Sequence, residues 1–348
     1  MKSLSNSQGF LQDKARGMLI GLAIGDSLGA PYEFGYTSKE ITELKDEVAT
    51  MHEAVACPKG SWTDDTSMAL CLSQSLLDCE GYDSYDVMEK YCRWVDKGYM
   101  TYDGKPADDA GRQVSGAIKR FKVDPVIRKD EPRSEAAGNG AIMRLAPVVI
   151  AMAHPGRNCG TVAECENLAV VQARETHYSE QAERAAKWFA IILCQAMSDI
   201  NRHSLDVCID RFCNEWYNNS DLAWRDYGTR IRTDKKGDSF KDLGGYVHDS
   251  LAIAIWGIRW SDSFVDGMIR VICLGGDTDT NAAIYGQLAG AYYGYDAIPD
   301  GWKKGLIKHD EILAMADKLL NMDKCPIIRT RFEEDGNLFG LPGDKQKM

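Results

Sequence analysis

Apolar positions recur along this chain at three- and four-residue intervals, the period of a helix that buries one face. Residues 67–77 carry Met68, Leu72 and Leu76 on one stripe. The same spacing predicts helices over 85–97, 110–121, 165–176, 182–197, 247–256, 263–274 and 310–322. The apolar stretch 145–153 reads as a helix that tolerates Pro147 only near its start. Residues 281–293, rich in Ala and Gly, are expected to pack closely in the interior. Gly17, Gly21, Gly25 and Gly29 recur every four residues and therefore share a helical face that another backbone can approach. For Gly17 and Gly21 this predicts a tight packing face, while residues 25–29 read equally as helix or turn.

Alternating, strand-like patterns are nearly absent. No G-x-x-x-x-G-K-[ST] loop and no strand followed by G-x-G-x-x-G occurs, which argues against P-loop and Rossmann folds. Residues 224–245 are polar and charged and read as a surface loop or insertion. Neither a linker nor an internal repeat divides the chain. The pattern predicts a single all-α domain over 15–325, preceded by a flexible segment 1–14 and followed by a tail 326–348.

Composition narrows the function. Of 348 residues, 44% are hydrophobic and 27% charged, ordinary for a chain that buries a core, and the net charge is −11. So acidic a chain offers no broad basic face for nucleic acid, although helix N-termini can still bind a small anion. The 11 cysteines include no C-x-x-C pair, and Cys71, Cys194 and Cys273 lie in apolar runs. Buried, reduced thiols are expected, not a disulfide framework or a zinc site, and they imply a reducing compartment. Residues 1–14 lack the apolar core of a signal peptide, and the longest apolar stretches are too short to span a bilayer. The expected location is the cytoplasm, without membrane attachment.

Two acidic clusters are the main chemical candidates: Thr63-Asp64-Asp65-Thr66 and Asp277-Thr278-Asp279-Thr280. Each immediately precedes an apolar helix, where Asp and Thr are favoured as caps for the unpaired N–H groups of the first turn. One acid suffices for a cap, however, and each cluster has two, paired with hydroxyls. Oxygen-only donors suit Mg²⁺, Mn²⁺ or Ca²⁺. Spacing alone leaves both readings open, and it does not bring the two clusters together.

Other segments are weaker signals. Glu33 lies in a loop-like stretch, Gly29-Ala30-Pro31-Tyr32-Glu33-Phe34, and reads first as a solvated acid. Asp108 and Asp109 can cap the helix that follows them. Gly138-Asn139-Gly140 is a turn signal whose N–H groups, followed by a helix, can cradle a diphosphate. His177 ends a helix, where histidine is often a C-terminal cap. Tyr246 can stack on a base or simply pack.

Taken together, the chain resembles the ADP-ribosylglycohydrolase family. The matching segments are G-M-L-I-G-L-A-I-G-D-S-L-G-A-P-Y-E-F (17–34), W-T-D-D-T-S-M-A-L (62–70), G-Y-M-T (98–101), A-D-D-A-G-R (107–112), G-N-G-A-I-M-R (138–144), T-H-Y (176–178), G-G-Y-V-H-D-S-L (244–251) and L-G-G-D-T-D-T-N-A-A-I-Y-G-Q-L-A-G-A-Y-Y-G (274–294). They run in the family's order over most of the chain. The resemblance implies a single orthogonal helical domain with a binuclear site for two Mg²⁺ or Mn²⁺. Thr63, Asp64 and Asp65 match its first ligand set, and Asp277, Asp279 and Thr280 its second. Glu33 matches the acid of a mobile glutamate loop. Asp109, rather than Asp108, matches an acid beside the metals, which makes Glu33 and Asp109 the catalytic candidates. Gly138, Asn139, Gly140 and His177 match positions around the diphosphate and ribose, and Tyr246 an aromatic near the adenine. The implied activity is release of ADP-ribose from a modified protein by cleavage of its N-glycosidic bond to arginine. The alternatives are a serine, O-acetyl or nucleobase linkage, or a non-catalytic ADP-ribose binder.

Overall fold

Two long helices, packed backbone against backbone, form the centre of the molecule, and the others are arranged around them. The computed structural model describes residues 2–50, 58–107, 110–125, 136–153, 161–198, 201–217, 222–323 and 326–330. Its helices in chain order are α1 (Lys2–Gly29), α2 (Ser38–Glu43), α3 (Lys45–Val48), α4 (Asp64–Asp78), α5 (Ser84–Lys97), α6 (Arg112–Val123), α7 (Ala146–Met152) and α8 (Val162–Thr176). They continue with α9 (Glu180–Met197), α10 (Arg202–Tyr217), α11 (Leu222–Thr233), α12 (Val247–Arg259), α13 (Phe264–Ile272), α14 (Thr278–Tyr293), α15 (Asp300–Gly305) and α16 (His309–Leu320). Among the described residues the only strands are β1 (Gly81–Asp83) and β2 (Ile327–Arg329), paired in parallel with Gly81 opposite Ile327. The fold is therefore all-α, as the periodicity predicts.

The glycine repeat explains the central pair. A Cβ placed on Gly17, Gly21, Gly25 or Gly29 would lie 2.1–2.4 Å from the backbone oxygen of Gly290, Gly286, Ala282 or Thr278 respectively. Four positions on α1 thus meet four on α14 in reverse order, so the two helices are antiparallel. The packing face expected at Gly17 and Gly21 continues through Gly25 and Gly29, and residues 25–29 are helix. Helix α14 is buried from Thr278 to Ala291. The Thr278 hydroxyl donates to the Gly29 carbonyl at 2.8 Å, tying the start of α14 to the end of α1.

Two segments differ from the sequence expectation. Residues 224–245 are not a loop throughout, because α11 runs to Thr233 and a 3₁₀ turn follows at Asp238–Phe240. The charged side chains conceal a buried side: Ile231 is fully buried, and its carbonyl accepts the Trp260 indole N–H at 2.9 Å. The Asp234 carbonyl likewise accepts the Trp256 indole N–H at 2.6 Å, which holds the segment against α12. Helix α10 is an addition to the predicted set. Its stripe of Leu205, Ile209, Phe212 and Cys213 is fully buried, but charged residues interleave with it in the sequence. The described cysteines are all free thiols, and among the described residues no helix is long and apolar enough to cross a membrane.

Replacing Gly286 with alanine puts a methyl group 2.0 Å from the Gly21 carbonyl oxygen, where backbone cannot yield easily. Gly286→Ala is expected to destabilise the protein by about 1–3 kcal/mol, the usual cost of overpacking. Thermal unfolding of the variant checks this, and an unchanged midpoint would contradict the packing.

Candidate active site and metal centre

The antiparallel pair brings the C-terminal end of α1 against the first turn of α14, and α4 begins beside both. The Thr63 hydroxyl oxygen, at the start of α4, lies 3.3 Å from Asp279 Oδ2. The Thr280 hydroxyl oxygen lies 3.3 Å from Asp65 Oδ2. The two acidic clusters, more than 200 residues apart in sequence, therefore meet. Neither Thr63, the cap residue of α4, nor Asp277, that of α14, makes a side-chain capping bond, although Asp279 Oδ1 accepts the Thr280 N–H at 2.8 Å within the first turn of α14.

Asp26 takes over that task for α4. It is fully buried on α1, and its Oδ1 accepts the Thr63 N–H and hydroxyl, both at 2.9 Å. Its Oδ2 accepts the Thr66 N–H at 3.0 Å and the Thr66 hydroxyl at 2.6 Å. Because Thr63 gives its one hydroxyl proton to Asp26, its lone pairs are free to face Asp65 and Asp279. Asp26 is absent from the sequence-derived candidates. Its signal was a single acid in the apolar, glycine-spaced stretch 17–29, a residue type rarely buried without partners.

Carboxylate oxygens of Asp26, Asp65 and Asp279 lie within 4.8 Å of one another, as do those of Glu33, Asp277 and Asp279. The two groups share Asp279. Both Asp26 oxygens are already occupied by Thr63 and Thr66, so Asp26 orients ligands rather than acting as one. Asp65 Oδ1, by contrast, is buried with no hydrogen-bond partner among the described residues. A buried carboxylate oxygen without a donor fits a hard cation. Burial first, and then the neighbouring carboxylates, push Asp65 and Asp279 well above the usual carboxylate range. Burial also pushes Asp26 up to about 6, against the lowering effect of the Thr63 and Thr66 hydrogen bonds. A bound cation is the natural compensation for such crowding, and these acidic clusters can hold metal ions.

A cavity of about 460 Å³ opens above the clusters, within the usual range for small-ligand sites. Asp64, Asp277, Thr280 and the exposed Glu33 line it, and Glu33 thereby joins the site despite its loop position. Another wall contains Gly138, Asn139, Gly140, His177 and Tyr246. Gly138 pairs with Tyr246 as an antiparallel bridge, and the Asn139 N–H donates to the Gly245 carbonyl at 3.0 Å. The Asn139 side-chain amide donates to Asp277 Oδ2 and to the Ser250 hydroxyl, both at 2.9 Å, so Asn139 also fixes a carboxylate of the second cluster. A Cβ on Gly138 or Gly140 would approach the His177 ring to 2.9 or 2.7 Å, so these glycines make room for the imidazole. Burial, and to a smaller degree Arg144, lowers His177 to about 3, which keeps it neutral. The fully buried Arg144 holds the segment together, donating to the Gly140 carbonyl and the Thr176 hydroxyl. Tyr246 is half-buried, with its hydroxyl 2.9 Å from His248 Nδ1. Asp108 and Asp109 lie outside the described residues.

Fold and site together define a helical protein with buried oxygen-donor clusters that can hold cations at the floor of a small-ligand cavity. Comparison with known proteins makes this more specific. The family model for ADP-ribosylglycohydrolase matches residues 7–326. ADP-ribosylarginine hydrolase Tri1 of Serratia proteamaculans is 30% identical over 89% of this chain and 80% of its own length. The ADP-ribosyl-[dinitrogen reductase] glycohydrolase of Rhodospirillum rubrum is 31% identical over 89% and 96%. Human ADP-ribosylhydrolase ARH3 is 25% identical over 87% and 92%. A solved ADP-ribosylglycohydrolase-related protein complex superimposes with a TM-score of 0.69 at 33% identity, covering 90% of this chain and 99% of that one. The chain belongs to the ADP-ribosylglycohydrolase family, and it is a hydrolase of that family.

Two outcomes are expected. Asp26→Asn removes two acceptor positions and should weaken divalent-cation binding about 10–100-fold while the fold persists; calorimetric titration with Mg²⁺ or Mn²⁺ measures it. The raised carboxylates also fix a sign. A group such as Asp26, at about 6 in the folded state against an ordinary 3.8, stabilises the cation-free fold below 3.8 and loses that contribution as pH rises through about 6. Added Mg²⁺ should therefore raise the melting temperature more near pH ~7.5 than near pH ~5, since ligands bind metal deprotonated. An equal rise at both values would contradict the electrostatic picture.

Proposed function

We propose that this enzyme removes ADP-ribose from a modified protein by hydrolysing the N-glycosidic bond to an arginine side chain, with two Mg²⁺ or Mn²⁺ ions as cofactors. The observation that carries the reading is the pair of carboxylate groups sharing Asp279 beneath a cavity that Glu33 borders. Identity of 30% over most of the chain to an ADP-ribosylarginine hydrolase supports the linkage. Thr63, Asp64, Asp65, Asp277, Asp279 and Thr280 would hold the ions. When bound, such ions polarise a water and fix oxygen atoms of the substrate.

The protein's own groups do the rest. The wall of Gly138, Asn139, Gly140 and His177 receives the diphosphate and ribose, with the glycine N–H groups as donors, His177 neutral, and Asn139 shaping the turn through its own bonds to Gly245, Ser250 and Asp277. Tyr246 covers the adenine. Asn139 keeps the Asp277 carboxylate oriented while the ribose binds over it. Glu33, at the mouth, takes a proton from the attacking water as the anomeric carbon loses its nitrogen, and a proton passes to the departing guanidine nitrogen. Asp109 is the second acid/base candidate. The free thiols support a reducing compartment, the cytoplasm.

A second reading, hydrolysis of another ADP-ribose linkage such as serine, is favoured by the match to human ADP-ribosylhydrolase ARH3. Release of ADP-ribose from arginine-linked and serine-linked peptides, with Mg²⁺, Mn²⁺ or EDTA, separates the two. Faster release from the arginine-linked peptide is expected, and EDTA should abolish it. The double variant Asp277→Asn, Asp279→Asn is expected to lose release altogether. Glu33→Gln should lower kcat by about 10²–10⁴-fold, the usual contribution of a general acid/base, with ADP-ribose still bound. Undiminished release by the double variant would overturn the metal assignment.

A further inference from the structure

The residue next to Glu33 is unusual on two counts. Phe34 is 64% exposed, and its backbone adopts φ +45°, a left-handed conformation costly for a bulky side chain. Among the nearby aromatics Tyr32 is buried, and Tyr36, 44% exposed, packs edge-on against Tyr32 with centroids 5.6 Å apart. Among the described residues Phe34 has no ring partner. Yet it is firmly held. Its N–H donates to the Gly276 carbonyl at 3.0 Å, and a Cβ on Gly276 would sit 2.0 Å from the Leu243 carbonyl oxygen, so that turn has no room to shift. Asp277 follows directly and donates its own N–H to the Leu243 carbonyl at 3.1 Å. The strained aromatic is thus fixed relative to a carboxylate of the centre.

Phe34 also lines the cavity beside Glu33, Asp64 and Asp277. A modified protein cannot enter a space of about 460 Å³, so only its acceptor side chain reaches the anomeric carbon, and it must pass the exposed rim. Of the aromatic residues lining the cavity, Phe34 is exposed and Tyr246 half-buried. A substituted guanidinium is a planar cation, and an aromatic face is its natural partner. From this geometry we infer that Phe34 is a specificity-determining residue that stacks on the arginine guanidinium of the substrate and so reads the acceptor side of the bond. The inference rests on the arginine-linkage reading above.

Phe34→Leu keeps a bulky side chain at the same left-handed position and removes only the ring; Phe34→Tyr keeps the ring. The measurements are kcat/KM on arginine-linked and serine-linked ADP-ribosyl peptides and the Kd of free ADP-ribose, with Mg²⁺ present. Phe34→Leu should lose about 3- to 30-fold in kcat/KM on the arginine-linked peptide, the range of a cation–π contact. Phe34→Tyr should retain wild-type activity, and neither the Kd of ADP-ribose nor any serine-linked turnover should change. Equal losses on both linkages, a matching loss in ADP-ribose affinity, or no loss at all would each overturn the inference while leaving the arginine reading intact. A wild-type enzyme that releases nothing from arginine-linked peptides would overturn the reading and the inference together, and this is seen before any variant is made.

Discussion

The close approach of α1 and α14 is the constraint on which the rest of the molecule depends. Where glycines meet a facing carbonyl at distances no side chain tolerates, the two helices have one register and one separation. That register sets Gly29 against Thr278, so the loop leaving α1 and the turn entering α14 begin at the same place. Glu33 and Asp277 become neighbours for that reason. Asp26, one turn earlier on α1, then reaches the start of α4 and brings Thr63 and Asp65 to Asp279. A packing interaction with no chemistry of its own thereby assembles the chemistry.

The centre this produces is electrostatically unfavourable on its own. Two carboxylate charges within 4.8 Å of one another repel by roughly 3 kcal/mol or more at an effective dielectric of ~20, and several such pairs share one buried space. Among the described residues no lysine or arginine pairs with Asp26, Asp65, Asp277 or Asp279. The protein gives Asp26 four neutral donors, leaves Asp65 Oδ1 without any, and excludes water from Asp279. The fullest donor set thus goes to the carboxylate that orients the others, while Asp277 and Asp279 receive one donor each, from Asn139 and the Thr280 N–H.

The division between what was legible in the sequence and what was not follows from the physics. Helical periodicity reports a buried stripe, so most helices were readable, and the four-residue glycine spacing indicated a close packing face before any partner was known. Periodicity failed at α10 and α11, where charged residues interleave with Leu205, Ile209 and Ile231 and dilute the signal. Convergence of 63–66 with 277–280 is a long-range fact that spacing cannot contain; the family resemblance supplied the expectation, and the geometry brings the residues together. Asp26 was missed because the lone acid of the apolar stretch 17–29 has meaning only once its partners, Thr63 and Thr66, are in place. The role of Gly138 and Gly140 in admitting the His177 ring was equally invisible, since turn composition does not say what fills the space beside a turn.

The charge around the cavity constrains how a ligand with a diphosphate can bind. Asp26, Glu33, Asp64, Asp65, Asp277 and Asp279 gather at or beneath it, while Arg112 is the one lysine or arginine among its described lining residues. His177 adds no positive charge, because burial keeps it neutral. An anion entering this space without cations would meet carboxylates offset, among the described lining residues, only by Arg112. Under the proposed reading the ions therefore do more than take part in bond cleavage: they reverse the sign of the field at the floor of the cavity. Metal binding and ADP-ribose binding must then strengthen one another, since linkage between two sites is reciprocal. The neutral wall fits this arrangement. With N–H groups and an uncharged imidazole as donors, it can hold a phosphate without competing with the carboxylates for the cations that make the site hospitable to an anion.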